Sequence, residues 1–166
     1  MDATLRPAAL DDAATIAALI RELAAYENLE DQARATPDDL RRHLFGDRPA
    51  AEVILAEVDG RAVGFALFFP TFSTFRGQPG LYLEDLFVRA EHRGRGIGKA
   101  LLASVARLAV ARGRGRLEWS VLDWNEPSIG FYRALGAVPM GEWTVYRLAD
   151  TALLALAEER SMMADG

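Results

Sequence analysis

Two amphipathic helices are predicted near the start of the chain. In the first, apolar residues recur every three or four positions, at Ile16, Leu19, Ile20 and Leu23. Asp11 or Asp12 can cap this helix, and we expect it to end near Tyr26. Thr36 precedes a proline and two acids, which is a typical helix start, so we expect a second helix to run to about Leu44.

Strands are predicted on either side of these helices. Residues 4–6 indicate a short first strand, and residues 52–58 and 61–69 are two longer runs rich in apolar strand formers. Asp59-Gly60 separates the longer runs, and this dipeptide is a strong hairpin signal, so we expect an antiparallel pair. Residues 70–80 are rich in Pro, Gly, Ser and Thr and predict a loop.

A strand, a glycine-rich turn and a long helix are predicted next. Residues 81–88 indicate the strand, and residues 93–98 form the turn. The helix has apolar residues at helical spacing, namely Ile97, Leu101, Val105 and Leu108. Gly113 and Gly115 are expected to end it.

The last elements again alternate between strand and helix. Residues 117–121 alternate between apolar and polar, which predicts a strand. Asn125 can cap a helix that Gly136 ends. We expect a final strand at about 143–148, followed by a helix and a tail.

The predicted order of elements is therefore β-α-α-β-β-β-α-β-α-β. This order indicates the α/β (α+β) class, with a central mixed sheet flanked by helices on both faces. A length of 166 residues is close to that of one domain. We expect a single domain over residues 1–166, with a core from about 4 to 148 and a C-terminal helix and tail over 149–166.

Cysteine and histidine content restricts the chemistry. The chain has no cysteine and two histidines, His43 and His92. Disulfides, a thiolate nucleophile and a cysteine zinc site are therefore excluded. Two histidines far apart in sequence do not favour a metal site or a Ser-His-Asp triad, and we expect no metal.

Charge and hydropathy restrict the partners. The net charge is −5, which disfavours nucleic acid and favours cationic substrates. The longest apolar run, residues 63–69, is far shorter than the roughly 20 residues that span a bilayer, so we expect no membrane partner. The N-terminus lacks the basic start and apolar stretch of a secretory signal, and we expect a cytoplasmic protein.

The glycine-rich turn is the first chemical motif. Backbone N–H groups at a helix N-terminus, close approach at glycine and basic side chains together suit a phosphate. The turn consists of Arg93, Gly94, Arg95, Gly96, Ile97, Gly98 and Lys99. A dinucleotide fingerprint needs glycine in place of Lys99 and a P-loop needs glycine in place of Arg93, so neither pattern is present. A flexible turn with solvated arginines is the alternative interpretation.

The second chemical motif is Trp124-Asn125-Glu126-Pro127-Ser128 with Phe131-Tyr132 after it. Together with the Arg-Gly-x-Gly-Ile-Gly turn, it resembles the coenzyme A motifs of the GNAT N-acetyltransferases. The segments 25–27 and 81–88 are similar to those of diamine acetyltransferases, the spermidine/spermine group. The resemblance extends from about residue 4 to 148. It implies a GNAT-like, mostly antiparallel sheet, acetyl-CoA as co-substrate and a homodimer.

The resemblance also implies roles for individual residues. The strand whose splayed backbone binds pantetheine matches Leu86, Phe87 and Val88. The pyrophosphate loop matches Gly94 to Lys99, with the charge of Arg93 before it. Further coenzyme A contacts match Asn125, Pro127, Ser128 and Tyr132, of which Tyr132 also matches the general acid. The amine pocket matches Tyr26, Glu27 and Glu84.

Amine acetylation requires that an ammonium group first lose a proton. An alkyl amine has a pKa of about 10.4 and is almost fully protonated at pH 7. Glu84, an acid among apolar strand residues, can accept this proton directly or through water. A cross-strand salt bridge is the alternative role of Glu84. Asp85 is expected on the opposite face of the strand, because side chains alternate.

The leaving thiolate requires a proton in turn. Tyr132 can supply it, because its hydroxyl pKa lies only modestly above that of a thiol; a core aromatic beside Phe131 is the alternative. Backbone N–H groups near Phe87 and Val88 can stabilise the developing oxyanion if the strand splays. A chain without cysteine cannot form a thiol-linked acetyl-enzyme, so we expect direct transfer.

The leading prediction is an acetyl-CoA-dependent N-acetyltransferase that acts on the primary amine of a diamine, polyamine or lysine-like amino acid. An acidic, aromatic edge suits such a cation, and it comprises Tyr26, Glu27, Glu30 and Asp31. Thr144 stands where polyamine-acetylating members carry glutamate, which weakens a polyamine assignment. The alternatives are an aminoglycoside or protein amine as acceptor, a non-catalytic coenzyme A sensor, and a nucleotide-binding regulator.

Overall fold

A computed structural model of the chain describes residues 3–158. The chain divides into two compact units, the first ending at Ser120 and the second beginning at Val121. The first unit contains the sheet and the glycine-rich turn, and the second contains the Asn125 motif. The single domain expected from the chain length stays a prediction, as does the tail beyond residue 158, which lies outside the described residues.

The first unit is an open five-stranded sheet with three helices. Its strands are β1 (Thr4–Pro7), β2 (Glu52–Val58), β3 (Arg61–Ser73), β4 (Gln78–Val88) and β5 (Leu117–Trp119). Its helices are α1 (Ala13–Tyr26), α2 (Pro37–Leu44) and α3 (Ile97–Ala111). The strands lie in the order β1-β2-β3-β4-β5, and every pair is antiparallel except β4–β5. The mixed, mostly antiparallel sheet is thereby confirmed.

Local capping interactions fix the start of α2. The Thr36 hydroxyl accepts the N–H of Asp39 at 3.2 Å, and the Asp39 carboxylate accepts the N–H of Thr36 at 2.9 Å. This reciprocal pair is a capping box, and Pro37 follows at the first helical position. The start predicted from Thr36 and the end predicted near Leu44 are both confirmed.

Both hairpins of the sheet are antiparallel, but the second is longer than predicted. The turn at Asp59 and Gly60 has positive φ at both positions, as its sequence predicts. The predicted loop over residues 70–80 is too long: β3 and β4 stay paired out to Ser73 and Gln78, and only residues 74–77 form the turn. Proline φ values are compatible with an extended strand, and Thr and Phe favour one, so this segment pairs despite its turn-forming composition.

One face of the sheet packs against α1 and α2. The buried side chains on this face include Ile16, Leu19, Leu40, Leu44, Val53, Leu55, Phe65, Leu67 and Phe87. Each fully buried apolar side chain of this kind contributes about 1.5–3 kcal/mol to stability. The apolar stripe predicted for α1 therefore faces the sheet and sets the position of the helix's C-terminal end.

The other face of the sheet is covered by α3. Strand alternation directs Ile54, Ala66 and Phe68 away from α1 and α2, yet these side chains are buried. Helix α3 contacts β2, β3 and β4 and supplies Leu101 and Val105, which are 0% exposed. The prediction of helices on both faces is confirmed for this unit. The buried side chains of α3 hold this helix against the sheet, immediately after the glycine-rich turn.

The second unit contains two helices, α4 (Glu126–Ala134) and α5 (Asp150–Ala157). Asn125 caps α4 as predicted. The strand predicted at 143–148 is wrong, since the described residues of this unit form no strand. Trp143, Val145 and Tyr146 alternate as a strand would, but their side chains are exposed. Alternation shows that a segment fits a sheet, whereas a strand also needs a neighbour to pair with.

Gly64 provides a test of how tightly β3 and β4 are held together. A Cβ at this position would lie 2.6 Å from the Phe87 carbonyl oxygen and 3.3 Å from Val88 Cα, both of them backbone atoms. We expect Gly64→Ala to lower the free energy of unfolding by about 1–3 kcal/mol, measured by urea denaturation followed by circular dichroism. Gly130→Ala is the matched control, because a Cβ there meets nothing within 4 Å and alanine favours the helix by about 0.5–1 kcal/mol. Equal stability of Gly64→Ala and the wild type would contradict the close approach.

Candidate active site

The glycine-rich turn joins β4 to α3. A single 3-10 turn over Ala90–His92 leads from the strand to Arg93. Gly94 and Gly96 then take φ values of 75° and 78°, in the left-handed region that residues with a Cβ rarely adopt. A Cβ at either glycine would meet nothing within 4 Å. The backbone conformation of the turn, and not a lack of space, therefore requires glycine.

The N-terminus of α3 offers backbone N–H groups to an anion. Gly96 is the N-cap residue and makes no side-chain cap, and the N–H of Ala100 bonds to the Gly96 carbonyl at 2.9 Å. The N–H groups of residues 97–99 precede this first intrahelical bond and are directed out of the helix end. Arg95 and Lys99 are exposed beside them. This arrangement fits a pyrophosphate.

Strand β4 leaves its neighbour β5 halfway along its length. Within the described part of the chain, β4 pairs with β5 only as far as Leu83, whereas β4 continues to Val88. On the other edge, the N–H of Arg89 donates to the Val63 carbonyl of β3 at 2.9 Å. Backbone groups alternate in direction along a strand, so the N–H and C=O of Leu86 and Val88 face the edge away from β3. An extended ligand with amide groups can add there as a strand does.

A β-bulge lies in β4 at Glu84. Asp85 pairs with Leu67 while Leu83 pairs with Phe68, so Glu84 is an extra residue on this strand. The alternation from which we expected the two acids on opposite faces does not continue through the bulge. Glu84 itself is exposed.

The acid next to the bulge has a strongly perturbed pKa. Burial, together with the smaller effect of the negative charges of Glu84 and Glu27, raises the pKa of Asp85 from 3.8 to about 7. Burial also raises the pKa of Glu27. The Asp85 carboxyl therefore lies within electrostatic range of two others, Glu84 on β4 and Glu27 just after α1. A carboxyl with a pKa near neutrality is suited to accept and release a proton at physiological pH.

The end of α1 places Tyr26 and Glu27 at this cluster. Asn28 takes a φ of 57°, its N–H bonds to Ala25, and the N–H of Leu29 bonds to the Ala24 carbonyl at 2.8 Å. These two bonds form a Schellman motif, which ends a helix sharply. The predicted helix end near Tyr26 is confirmed.

Arg93 contacts this helix end from the glycine-rich turn. Its guanidinium carbon lies 4.5 Å from the centre of the Tyr26 ring and 5.7 Å from that of Phe87. Its Nε donates a hydrogen bond of 2.8 Å to the Val88 carbonyl. The Arg93 side chain is thus folded back onto β4 and α1.

The remaining predicted site residues lie in the second unit. The buried Asn125 side chain accepts the N–H of Ser128 at 3.4 Å, and Pro127 stands in the first turn of α4. Tyr132 is half-buried on α4, with its ring 5.4 Å from that of Phe131. Thr144 is exposed outside any helix or strand. The structure explains Asn125 as a helix cap, and the cofactor roles of this group stay predictions.

Sequence reasoning missed Asp85. The predicted acids are Glu84 and Glu27, which act electrostatically on Asp85. Asp85 was expected on the opposite face of the strand because regular alternation was assumed, and the bulge interrupts that alternation. The available signal was the Glu-Asp pair within an otherwise apolar strand. The bulge that interrupts the alternation at Glu84 leaves no period in the sequence.

Within residues 3–158, no group of three or more His, Cys, Asp or Glu residues could hold a metal ion. None of the helices in this part of the chain is long and apolar enough to cross a membrane.

The fold and the glycine-rich turn are those of one enzyme family. The family described as acetyltransferase (GNAT) matches residues 17–137 of the chain. The protein therefore belongs to the GNAT acetyltransferases, which use acetyl-CoA as co-substrate.

Several relatives resemble the chain over nearly its whole length. Thialysine N-epsilon-acetyltransferase of Bos taurus is 37% identical over 164 residues, covering 92% of this chain and 96% of the relative. L-ornithine N5-acetyltransferase of Arabidopsis thaliana is 33% identical, covering 94% and 88%. An integron cassette protein of known structure from the mobile metagenome of V. cholerae is 27% identical and superposes with a TM-score of 0.80, covering 95% and 99%. The protein is an N-acetyltransferase similar to enzymes named for small cationic amines.

The raised pKa of Asp85 predicts a specific dependence of stability on pH. Its pKa rises from 3.8 in the unfolded chain to about 7, so the folded state binds the extra proton between these values and loses stability as the pH rises through that window. The stability of Asp85→Asn relative to the wild type should therefore increase between pH 4 and pH 8. The expected increase is up to about 4 kcal/mol in the free energy of unfolding.

Urea denaturation at several pH values measures this difference. Asp59→Asn, at the exposed β2–β3 turn, is the control for loss of one surface charge. A constant difference between Asp85→Asn and the wild type across the range would show that Asp85 is not buried against other acids.

Proposed function

We propose that the protein transfers the acetyl group of acetyl-CoA directly to the primary amine of a small cationic acceptor. The observation that carries this proposal is the acid cluster of Glu27, Glu84 and Asp85. Two of these acids, Glu84 and Asp85, lie on the part of β4 that no longer pairs with β5. Acids favour an ammonium group electrostatically, and an open strand edge suits the amide-bearing arm of the co-substrate.

The chain's backbone would hold the co-substrate. Acetyl-CoA supplies the acetyl group as an activated thioester. The outward N–H and C=O groups of Leu86 would bind its pantetheine amides, and the N–H groups of residues 97–99 its pyrophosphate. The side chains of Arg95 and Lys99 add positive charge. Asn125, Pro127 and Ser128 are assigned further contacts by the family resemblance.

The acids and Tyr26 would bind the acceptor. An ammonium group near Glu27, Glu84 and Asp85 would be attracted by their charge, and the Tyr26 ring offers a cation–π surface next to them. Binding of a cation favours the ionised carboxylates, so it would lower the pKa of Asp85 from its raised value. Acceptor binding would thereby favour the ionised carboxylate of Asp85, which is the form that can accept a proton.

Removal of the ammonium proton is assigned to this cluster. Asp85, with a pKa of about 7, is matched to a general base at neutral pH, because it is substantially ionised and can still hold a proton. Glu84 is exposed and would act through a water molecule. We therefore assign the role of base to both Glu84 and Asp85. A Glu84 variant would still contain Asp85 as a base.

Tyr132 is assigned the return of a proton to the coenzyme A sulfur. The family resemblance gives it this role, and its hydroxyl pKa, ordinarily about 10, is close enough to that of a thiol for the transfer. Because the chain has no cysteine, the acetyl group passes from sulfur to nitrogen without an acetyl-cysteine on the protein.

Among cationic acceptors, we favour a lysine-like amino acid over a polyamine. Two of the relatives are named for thialysine and ornithine, which are amino acids with a side-chain amine. Thr144 also replaces the glutamate of the polyamine-acetylating members. We further assign the protein to a homodimer, in keeping with the resemblance and with the exposed Trp143, Val145 and Tyr146; its cytoplasmic location stays a prediction.

Release of free coenzyme A thiol from acetyl-CoA tests the proposed function. The acceptors are thialysine, ornithine, lysine, putrescine, spermidine, an aminoglycoside and a basic peptide. We expect turnover with the amino acids to exceed that with the polyamines, and the absence of protein thiols keeps the background low. Binding of acetyl-CoA without turnover across this set would instead support a coenzyme A sensor.

Three variants separate the proposed proton carriers. We expect Asp85→Asn and Tyr132→Phe each to lower kcat by about 10²- to 10⁴-fold, because each removes a group that holds or moves a proton. Glu84→Gln should have a smaller effect on kcat, because the exposed side chain is replaced by water more readily. The limb of the kcat/KM profile that rises near pH 7 should be lost in Asp85→Asn. A Glu84→Gln variant that loses this limb, while Asp85→Asn keeps it, would assign the base to Glu84.

A further inference from the structure

Arg93 joins the co-substrate side of the active site to the acceptor side. It precedes the first glycine of the turn, and its guanidinium stacks 4.5 Å from the Tyr26 ring on α1. The same side chain donates from Nε to the Val88 carbonyl at 2.8 Å. One side chain therefore contacts the helix end expected to bind the amine and the strand edge expected to bind pantetheine.

We propose that Arg93 is a positioning residue that aligns the open edge of β4 with the end of α1, rather than a direct ligand of the pyrophosphate. The inference rests on the proposed function, because it assigns the two contacted surfaces to the two substrates.

The geometry argues against a direct phosphate contact. The centre of the Phe87 ring lies 5.7 Å from the same guanidinium carbon, so aromatic rings of α1 and β4 both lie near the charge. The stacking on Tyr26 and the Nε–H bond to the Val88 carbonyl together hold the guanidinium against the end of α1 and β4. Breaking these contacts to reach a phosphate would cost the cation–π and hydrogen-bond energy that now fixes the side chain.

The Val88 carbonyl makes the contact specific. Val88 faces the edge of β4 away from β3, which is the edge available to a ligand amide. The Arg93 bond fixes one end of that edge and leaves the groups of Leu86 available. The Arg93 side chain thereby sets the orientation of the β4 edge, while its guanidinium stays stacked on the Tyr26 ring.

Two acetyl donors distinguish positioning from phosphate binding. S-acetylpantetheine lacks the nucleotide and pyrophosphate of acetyl-CoA but retains the pantetheine arm and the thioester. We expect Arg93→Ala to lower kcat/KM by about 3- to 30-fold, and by the same factor with both donors, because the loss acts through the strand edge. A loss confined to acetyl-CoA would overturn the proposal and make Arg93 a phosphate ligand.

Arg93→Lys separates charge from shape and covers the case in which the alanine variant folds poorly. Lysine keeps a positive charge for a phosphate but lacks the planar guanidinium and its Nε–H. We expect this variant to show the same loss with both donors as Arg93→Ala. Restoration of wild-type kcat/KM for acetyl-CoA by lysine would overturn the positioning role.

Substitutions of Tyr26 test the coupling from the opposite side. Tyr26→Leu removes the ring under the guanidinium, and we expect it to weaken coenzyme A binding in calorimetry more than Tyr26→Phe does, because phenylalanine keeps the cation–π contact. Combined with Arg93→Ala, Tyr26→Leu should cause no further loss of coenzyme A affinity. Independent, multiplying effects of the two substitutions would contradict the coupling.

Arg107→Ala is the matched control, because Arg107 is an exposed arginine on α3. We expect its kcat/KM to stay within twofold of the wild-type value with both donors. A wild-type protein that turns over neither donor with any amine would refute the proposed function. Failure of the Arg93 inference, in contrast, leaves wild-type turnover intact and changes only the pattern of the variants.

Discussion

The separation of β4 from β5 beyond Leu83 is the constraint on which the site depends. A parallel neighbour along the whole of β4 would use the outward N–H and C=O groups of Leu86 and Val88 in sheet hydrogen bonds. Because β5 pairs with only three residues, the second half of β4 keeps one edge for a ligand while the other edge stays bonded to β3. The bulge at Glu84 coincides with this separation and places the half-buried Asp85 opposite Leu67 of β3.

Much of the framework could be predicted because its signals are local. A capping threonine, a Pro at the first helical position and an Asp-Gly turn each act within a few residues, and α2 and the β2–β3 hairpin follow them. The glycine-rich turn was also readable, since left-handed φ values at Gly94 and Gly96 require that residue. The proposed co-substrate side of the site is built on these features.

The features that sequence reasoning missed depend on neighbours. Pairing of residues 70–80 is decided by the partner strand, and the predicted strand at 143–148 fails because nothing pairs with it within its own described unit. The position of Asp85 depends on a bulge, which shifts side chains by one residue without changing composition. Strand alternation predicts which face an acid lies on only as far as the alternation continues.

The half-open edge of β4 also has a consequence for the solubility of the ligand-free enzyme. Exposed strand edges are templates on which other chains can pair, and natural proteins protect them with short lengths and charge. The open stretch here is five residues long and carries Glu84, Asp85 and Arg89 at or next to its ends. A co-substrate bound along this edge, as proposed, would also cover it and so keep other chains from pairing there.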